Sequence, residues 1–141
     1  MKFRIEKDSM GEVKVPANAL WGAQTQRAID NFKMSGITLK FPFGRSFIEA
    51  LGIIKLSAAR TNSKHNLIQK GIGAAIEKAA NEIINGTHDD QFPVDVFQTG
   101  SGTSTNMNAN EVIANVASKK LKKSVSPNDP VSYTHLRAHE T

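Results

Sequence analysis

The sequence predicts a mainly α fold with short β segments at its N-terminus. Two observations carry this. Three stretches, about Arg45 to Lys64, Gly71 to Asn85 and Asn108 to Lys123, repeat apolar residues at helical intervals. A single short stretch, Gly11 to Pro16, alternates polar and apolar residues as a strand does. At 141 residues the chain has the length of one domain and can bury a core.

The elements follow in order. After the Gly11–Pro16 strand, Pro16 to Trp21 reads as one helical turn entered through proline. Gln24 to Lys33 places Ala28, Ile29 and Phe32 on one helical face. Gly36 to Gly44 is a loop holding Phe41, Pro42 and Phe43. In the long helix that follows, Phe47, Ala50, Leu51, Ile54 and Ala58 form the expected inward stripe. Ser46 and Glu49 are spaced as a capping box, and Gly52 is expected at a close packing contact. The next helix should bury Ile72, Ala75, Ile76, Ala79 and Ile83 and end at Gly86. The last should bury Val112, Ile113, Val116 and Leu121. These faces are thin in large side chains, which suggests a core completed by further chain or by another copy.

Composition removes several function classes. Cysteine is absent, so disulfides, thiolate metal sites and cysteine nucleophiles are excluded. No run of about 18 apolar residues is present to span a membrane. The charged start, Lys2 to Asp8, is unlike a secretory signal, and a cytoplasmic location is expected. The net charge is +5, but its one dense cluster, Lys119, Lys120, Lys122 and Lys123, suits the negative end of a helix dipole. Neither nucleic acid nor membrane is expected as a partner. His135 and His139 have helical metal-site spacing but lack the glutamate of a metalloprotease motif, and His88-Asp89-Asp90 reads as a solvated loop. No metal is expected.

The segment with chemistry is Gln98 to Glu111. From Gln98 to Asn110 it is uncharged and rich in hydroxyls and amides, and Gly100 and Gly102 flank Ser101. Glycine allows close backbone approach, and the stretch leads into a helix N-terminus with its unpaired N–H groups. Asn106 and Asn110 sit at i and i+4, a regularity that a flexible linker does not need. It lacks the lysine of a phosphate-binding Walker loop and the strand–helix setting of a dinucleotide fingerprint. The segment reads as an anion-binding helix entrance.

Gln98-Thr99-Gly100-Ser101-Gly102-Thr103, with Asn106-Met107-Asn108 and Asn110 to Asn115, resembles class II fumarase and, more broadly, the fumarase/aspartase superfamily. Glu6 to Gly11, Leu20 to Ala28 and Gly86 to Pro93 fit the same pattern in order. The resemblance covers residues 3 to about 129. It implies the N-terminal domain of that fold over 1–129, without the central helical bundle, and a homotetramer whose active sites each draw on three subunits. It implies reversible hydration of fumarate to L-malate in the citric acid cycle, without metal or organic cofactor. By resemblance, Ser101, Gly102 and Thr103 bind a substrate carboxylate, while Ser126, Pro127, Asn128 and Asp129 form a second dicarboxylate site near the surface. Fixed donors would stabilise the extra negative charge of an aci-carboxylate as it develops.

Two departures matter. Ser126 stands where fumarases usually carry His and some aspartases carry Ser, so an aspartate ammonia-lyase is the alternative enzyme. Thr99 and Ser101 favour fumarase. After Asp129, residues 130–141 match no family element and read as foreign or read-through sequence. The family's acid/base His and catalytic Ser loop would lie beyond this chain, which is expected to be inactive alone. A free-standing helical binding module is the non-enzymatic alternative.

Overall fold

The structure, a computed structural model, describes residues 1–39 and 44–130. Strands β1 (Phe3–Asp8) and β2 (Gly11–Pro16) form an antiparallel hairpin with Asp8 opposite Gly11. Ser9 and Met10 make the turn. Asp8 closes it by accepting the Met10 N–H at 2.9 Å, and Gly11 at φ +110° takes a conformation that favours glycine. Helices α1 (Ala23–Asn31), α2 (Ser46–Lys64), α3 (Lys70–Ile84) and α4 (Thr103–Leu121) follow, with a 3-10 turn at Asp89–Gln91. The mainly α reading with short N-terminal strands therefore holds. The expected helical turn over 16–21 is instead a plain turn, with Ala19 N–H donating to Pro16 O at 3.0 Å.

The hairpin is tied to α1 by Arg27. Its guanidinium donates to both Asp8 oxygens, at 3.0 and 3.1 Å, and to Gly11 O at 3.1 Å. This contact holds the Asp8 carboxyl below its ordinary pKa.

α2 packs on α3 and α3 on α4, around Ile48, Ile76, Ile83, Val112 and Ile113. Much of the remaining core is alanine, at 59, 75, 79, 80, 109, 114 and 117, as the thin faces foretold. Small residues let the helices approach closely. A Cβ on Gly52 would lie 2.8 Å from Ile84 Cγ1, and one on Gly73 would lie 2.2 Å from Ser63 Oγ.

α2 differs from its expected orientation. Its buried residues are Ile48, Gly52, Lys55, Ala59 and Asn62, a face rotated by about 100° from the large-residue stripe. Phe47 and Ile54 are exposed, at 42% and 50%. The close contact at Gly52 sets the packed face, so Ile48 goes inside with a stripe of small and polar residues. The capping box does not form either. Arg45 is the N-cap without a side-chain cap bond, and Glu49 pairs with the Arg45 guanidinium at 3.2 Å.

α3 matches its expected face and stop. Gly86 at φ +83° donates to Ile83 O and Thr87 to Glu82 O, which closes the helix C-terminus. His88 and Asp89 are held rather than freely solvated. His88 Nε2 lies 2.7 Å from Glu82, and Arg45 Nε lies 3.0 Å from Asp89. Lys119 and Lys120 occupy the last turn of α4, and Lys120 pairs with Glu82. Phe41, Pro42 and Phe43, the histidines at 135 and 139, and the expected tail beyond Pro130 lie outside the described residues.

Candidate anion-binding entrance of α4

α4 begins at Thr103, five residues before the expected start, because two features outweigh the weak helix propensity of its Thr-Ser-Thr-Asn opening. Gly102 at φ +70° is the N-cap and makes the turn into the helix. The Gln98 side chain then returns to the first turn, accepting from Thr105 N–H at 3.1 Å and from its hydroxyl at 3.0 Å. A side chain five residues upstream of the helix thus performs the capping that Gly102 cannot. The segment is anchored, not a loose linker.

This leaves a polar, open entrance. Ser101, Gly102 and Thr103 are exposed together. The hydroxyls of Ser101 and Thr103 are 3.0 Å apart, with Thr99 Oγ1 at 3.4 Å from Ser101 Oγ. The N–H groups of Thr103 and Ser104 find no acceptor among the described residues. Hydroxyls that can turn outward, together with free N–H groups at the positive end of a helix dipole, suit a carboxylate.

The two asparagines at i and i+4 have different fates. Asn106 is half-buried, and its Oδ1 accepts from the Lys55 ammonium. Asn110 is fully buried, with Nδ2 against Met107 Sδ at 3.6 Å, so it does not face a ligand at the entrance.

Sequence reasoning missed the other polar stripe of α4. Asn108, Glu111 and Asn115, at i, i+3 and i+7, staple the chain against this helix. Asn108 Nδ2 donates to Gln91 O at 2.9 Å, and Asn115 Nδ2 donates to Leu20 O at 2.6 Å. Glu111 accepts the backbone N–H groups of Gly22, Gln24 and Thr25 at 2.5, 2.8 and 3.2 Å. It therefore caps α1 from a distant element, where Gly22 has no side chain to do so. Burial raises the Glu111 pKa against the pull of these donors. The spacing was the available signal, because polar residues recurring every three to four positions mark one helical face.

Ser126 to Asp129 form a tight turn. Ser126 N–H donates to Asp129 Oδ2 at 2.9 Å, and Asn128 N–H donates to Ser126 Oγ at 3.1 Å. Ser126, Pro127 and Asn128 border a cleft of about 560 Å³, together with Lys7, Gln24 and Ser118, while Asp129 is not among its lining residues. The turn lies back along α4, where Val125 N–H meets Ser118 Oγ at 2.9 Å. Thr103 and Ser118 are about 22 Å apart along the helix axis, so the structure keeps the 101–103 and 126–129 groups separate.

Among the described residues no cluster of His, Asp and Glu could hold a metal ion, and no helix is long and apolar enough to cross a membrane.

A family model described as lyase matches residues 11–138. The class II fumarate hydratase of Halobacterium salinarum is 57% identical over 136 residues, covering 93% of this chain and 28% of that protein. The class II fumarate hydratase of Mycobacterium tuberculosis is 55% identical over 130 residues, covering 92% and 26%. Among solved structures, a fumarate lyase/delta-crystallin from Brucella melitensis superposes with a TM-score of 0.86 at 42% identity, covering 92% of this chain and 29% of that one. A class II fumarase from Schistosoma mansoni superposes with a TM-score of 0.84 at 39% identity, covering 91% and 28%. The chain thus spans little more than a quarter of the length of these relatives. With a match that runs over most of its residues, the chain belongs to this lyase family and carries the fold that class II fumarases share over the matched part.

Proposed function

We propose that this chain supplies the carboxylate-binding part of a fumarate hydratase, which interconverts fumarate and L-malate in the citric acid cycle. The observation that carries the reading is the entrance of α4. Ser101 and Thr103 present adjacent hydroxyls beside free helix N–H groups, in a chain 57% identical to a class II fumarate hydratase. Ser101, Gly102 and Thr103 hold one substrate carboxylate. Their donors strengthen as charge moves onto that carboxylate during addition of water.

In this reading the proton-transfer groups come from the remaining three quarters of the protein, and the 141-residue chain is inactive alone. The exposed Phe47, Ile53 and Ile54 on α2 support it, since they offer an apolar face for further helices to cover. The whole protein is a cytoplasmic homotetramer. Residues 1–129 carry the family domain in this reading, and the family match runs on to residue 138.

Ser126, Pro127, Asn128 and Asp129 are a second dicarboxylate site. The cleft beside them is lined by Lys7 together with Glu6, Asp8 and Glu111. Fumarate titration of the ¹⁵N-labelled chain tests the reading. Amide shifts at Gly102, Thr103 and Ser104 are expected at millimolar ligand, and their absence would contradict it.

A further inference from the structure

Lys55 is among the largest fully buried side chains of the described residues, at 1% exposure, and it sits on the inward face of α2 with Ile48, Gly52, Ala59 and Asn62. A lysine is almost never placed this deep without a specific use for its ammonium. Its Nζ crosses from α2 to α4 and donates to Asn106 Oδ1. Asn106 is in the first turn of α4, and its own N–H makes the first bond of the helix ladder, to Gly102 O at 3.0 Å. The buried ammonium is therefore one hydrogen bond and one helical turn from Gly102 and Thr103.

We infer that Lys55 is a positioning residue for the α4 entrance, holding Asn106 so that the Ser101 and Thr103 donors and the helix N–H groups converge on one carboxylate. The inference rests on the reading of that entrance as a carboxylate site. Two physical effects act together. The Lys55–Asn106 bond is charge-assisted and fixes the rotation of the first turn about the helix axis. The ammonium also lies in the low-dielectric interior behind the positive end of the α4 dipole, so its field adds to that of the helix. Burial lowers its pKa to about 8, which leaves it mostly protonated at neutral pH.

Ser101 and Thr103 touch the ligand in this arrangement, and Lys55 acts through Asn106. Lys55→Met keeps the length of the side chain and removes both the bond and the charge. Asn106→Leu removes the Oδ1 acceptor on α4 and leaves the Lys55 side chain unaltered.

The test is fumarate titration of the ¹⁵N-labelled 141-residue chain and of both variants, following the amides of Gly102, Thr103 and Ser104, with melting curves in parallel. In wild type these amides shift and saturate. A folded Lys55→Met variant should bind about tenfold more weakly, the size of one lost charge-assisted bond, with its Gly102–Ser104 amides displaced even without ligand. Asn106→Leu should show the same displaced amides and a smaller loss. Should Lys55→Met fail to fold, Asn106→Leu decides alone. Variants that fold and bind within twofold of wild type would overturn the inference while the carboxylate reading stands. A wild-type chain whose Gly102–Ser104 amides ignore fumarate would overturn that reading, and the inference with it.

Discussion

The Glu111 carboxylate accepts the Gly22 N–H at 2.5 Å across 89 positions of sequence. This one group joins the N-terminal segment to α4, because it also satisfies the first turn of α1 through Gln24 and Thr25. It couples the hairpin end of the molecule to the helix that carries the candidate site. Glu111→Ala should destabilise the chain by about 3 kcal/mol, since it leaves several buried N–H groups without their charged acceptor. Gly22→Ala should also destabilise, because its Cβ would stand 3.0 Å from Glu111 Cδ and Oε2. Urea unfolding of both variants checks this, and an unchanged midpoint would contradict it.

Gly52→Ala sets two effects against each other. Alanine favours a helix by about 1 kcal/mol over glycine. Here its Cβ meets Ile84 Cγ1 at 2.8 Å and the Ile84 backbone nitrogen at 3.1 Å, and the backbone cannot rotate away. Overpacking of this kind costs about 1–3 kcal/mol, so a net loss of about 1 kcal/mol is expected. Thermal melting decides the sign, and a raised midpoint would mean that α2 and α3 separate easily.

Asp95 gives stability a pH dependence. Burial works to raise its pKa, but the N–H groups of Phe97, Ser35 and Gly36 and the Ser35 hydroxyl outweigh it and hold the carboxyl at about 2. The folded value lies below the ordinary 3.8, so the stabilisation is present above about pH 4 and is lost as pH falls toward 2. Melting temperatures of wild type and Asp95→Asn should therefore differ most near neutrality and converge toward pH 2. A gap that stays constant would rule this out.

The exposed face of α2 should drive self-association of the isolated chain. Ile53 and Ile54 are each 50% exposed, beside Phe47 at 42%. Ile54→Lys should reduce association in sedimentation velocity while shifting the melting temperature by no more than about 2 °C. Ile48→Lys, at a fully buried position, should unfold the chain. Equal behaviour of the two variants would show that the face is misassigned.

The sequence made the α3 face legible because its large and small apolar residues repeat together, with Gly86 as a stop. α2 misled because Phe47 and Ile54 carry the visible period while Gly52 and Lys55 make the packed face. Period alone cannot tell a core face from one left for further chain. The Ser101–Thr103 group was visible from its glycines and hydroxyls. The early start of α4 was hidden, because its cap is the side chain of Gln98 and not a residue at the N-cap. The Glu111 staple was equally hidden, since its partners are backbone N–H groups 86 to 89 residues away.

Whether this chain supplies the carboxylate-binding part of a fumarate hydratase is tested by joining residues 1–129 to the remaining length of the Halobacterium salinarum fumarate hydratase and following the ultraviolet absorbance of fumarate formed from L-malate. Turnover is expected from this fusion, none from the 141-residue chain, and a loss of about 10²-fold in the fusion on Thr103→Ala, the scale of one removed oxyanion donor. A folded fusion that leaves malate untouched, or that only deaminates aspartate, would contradict it.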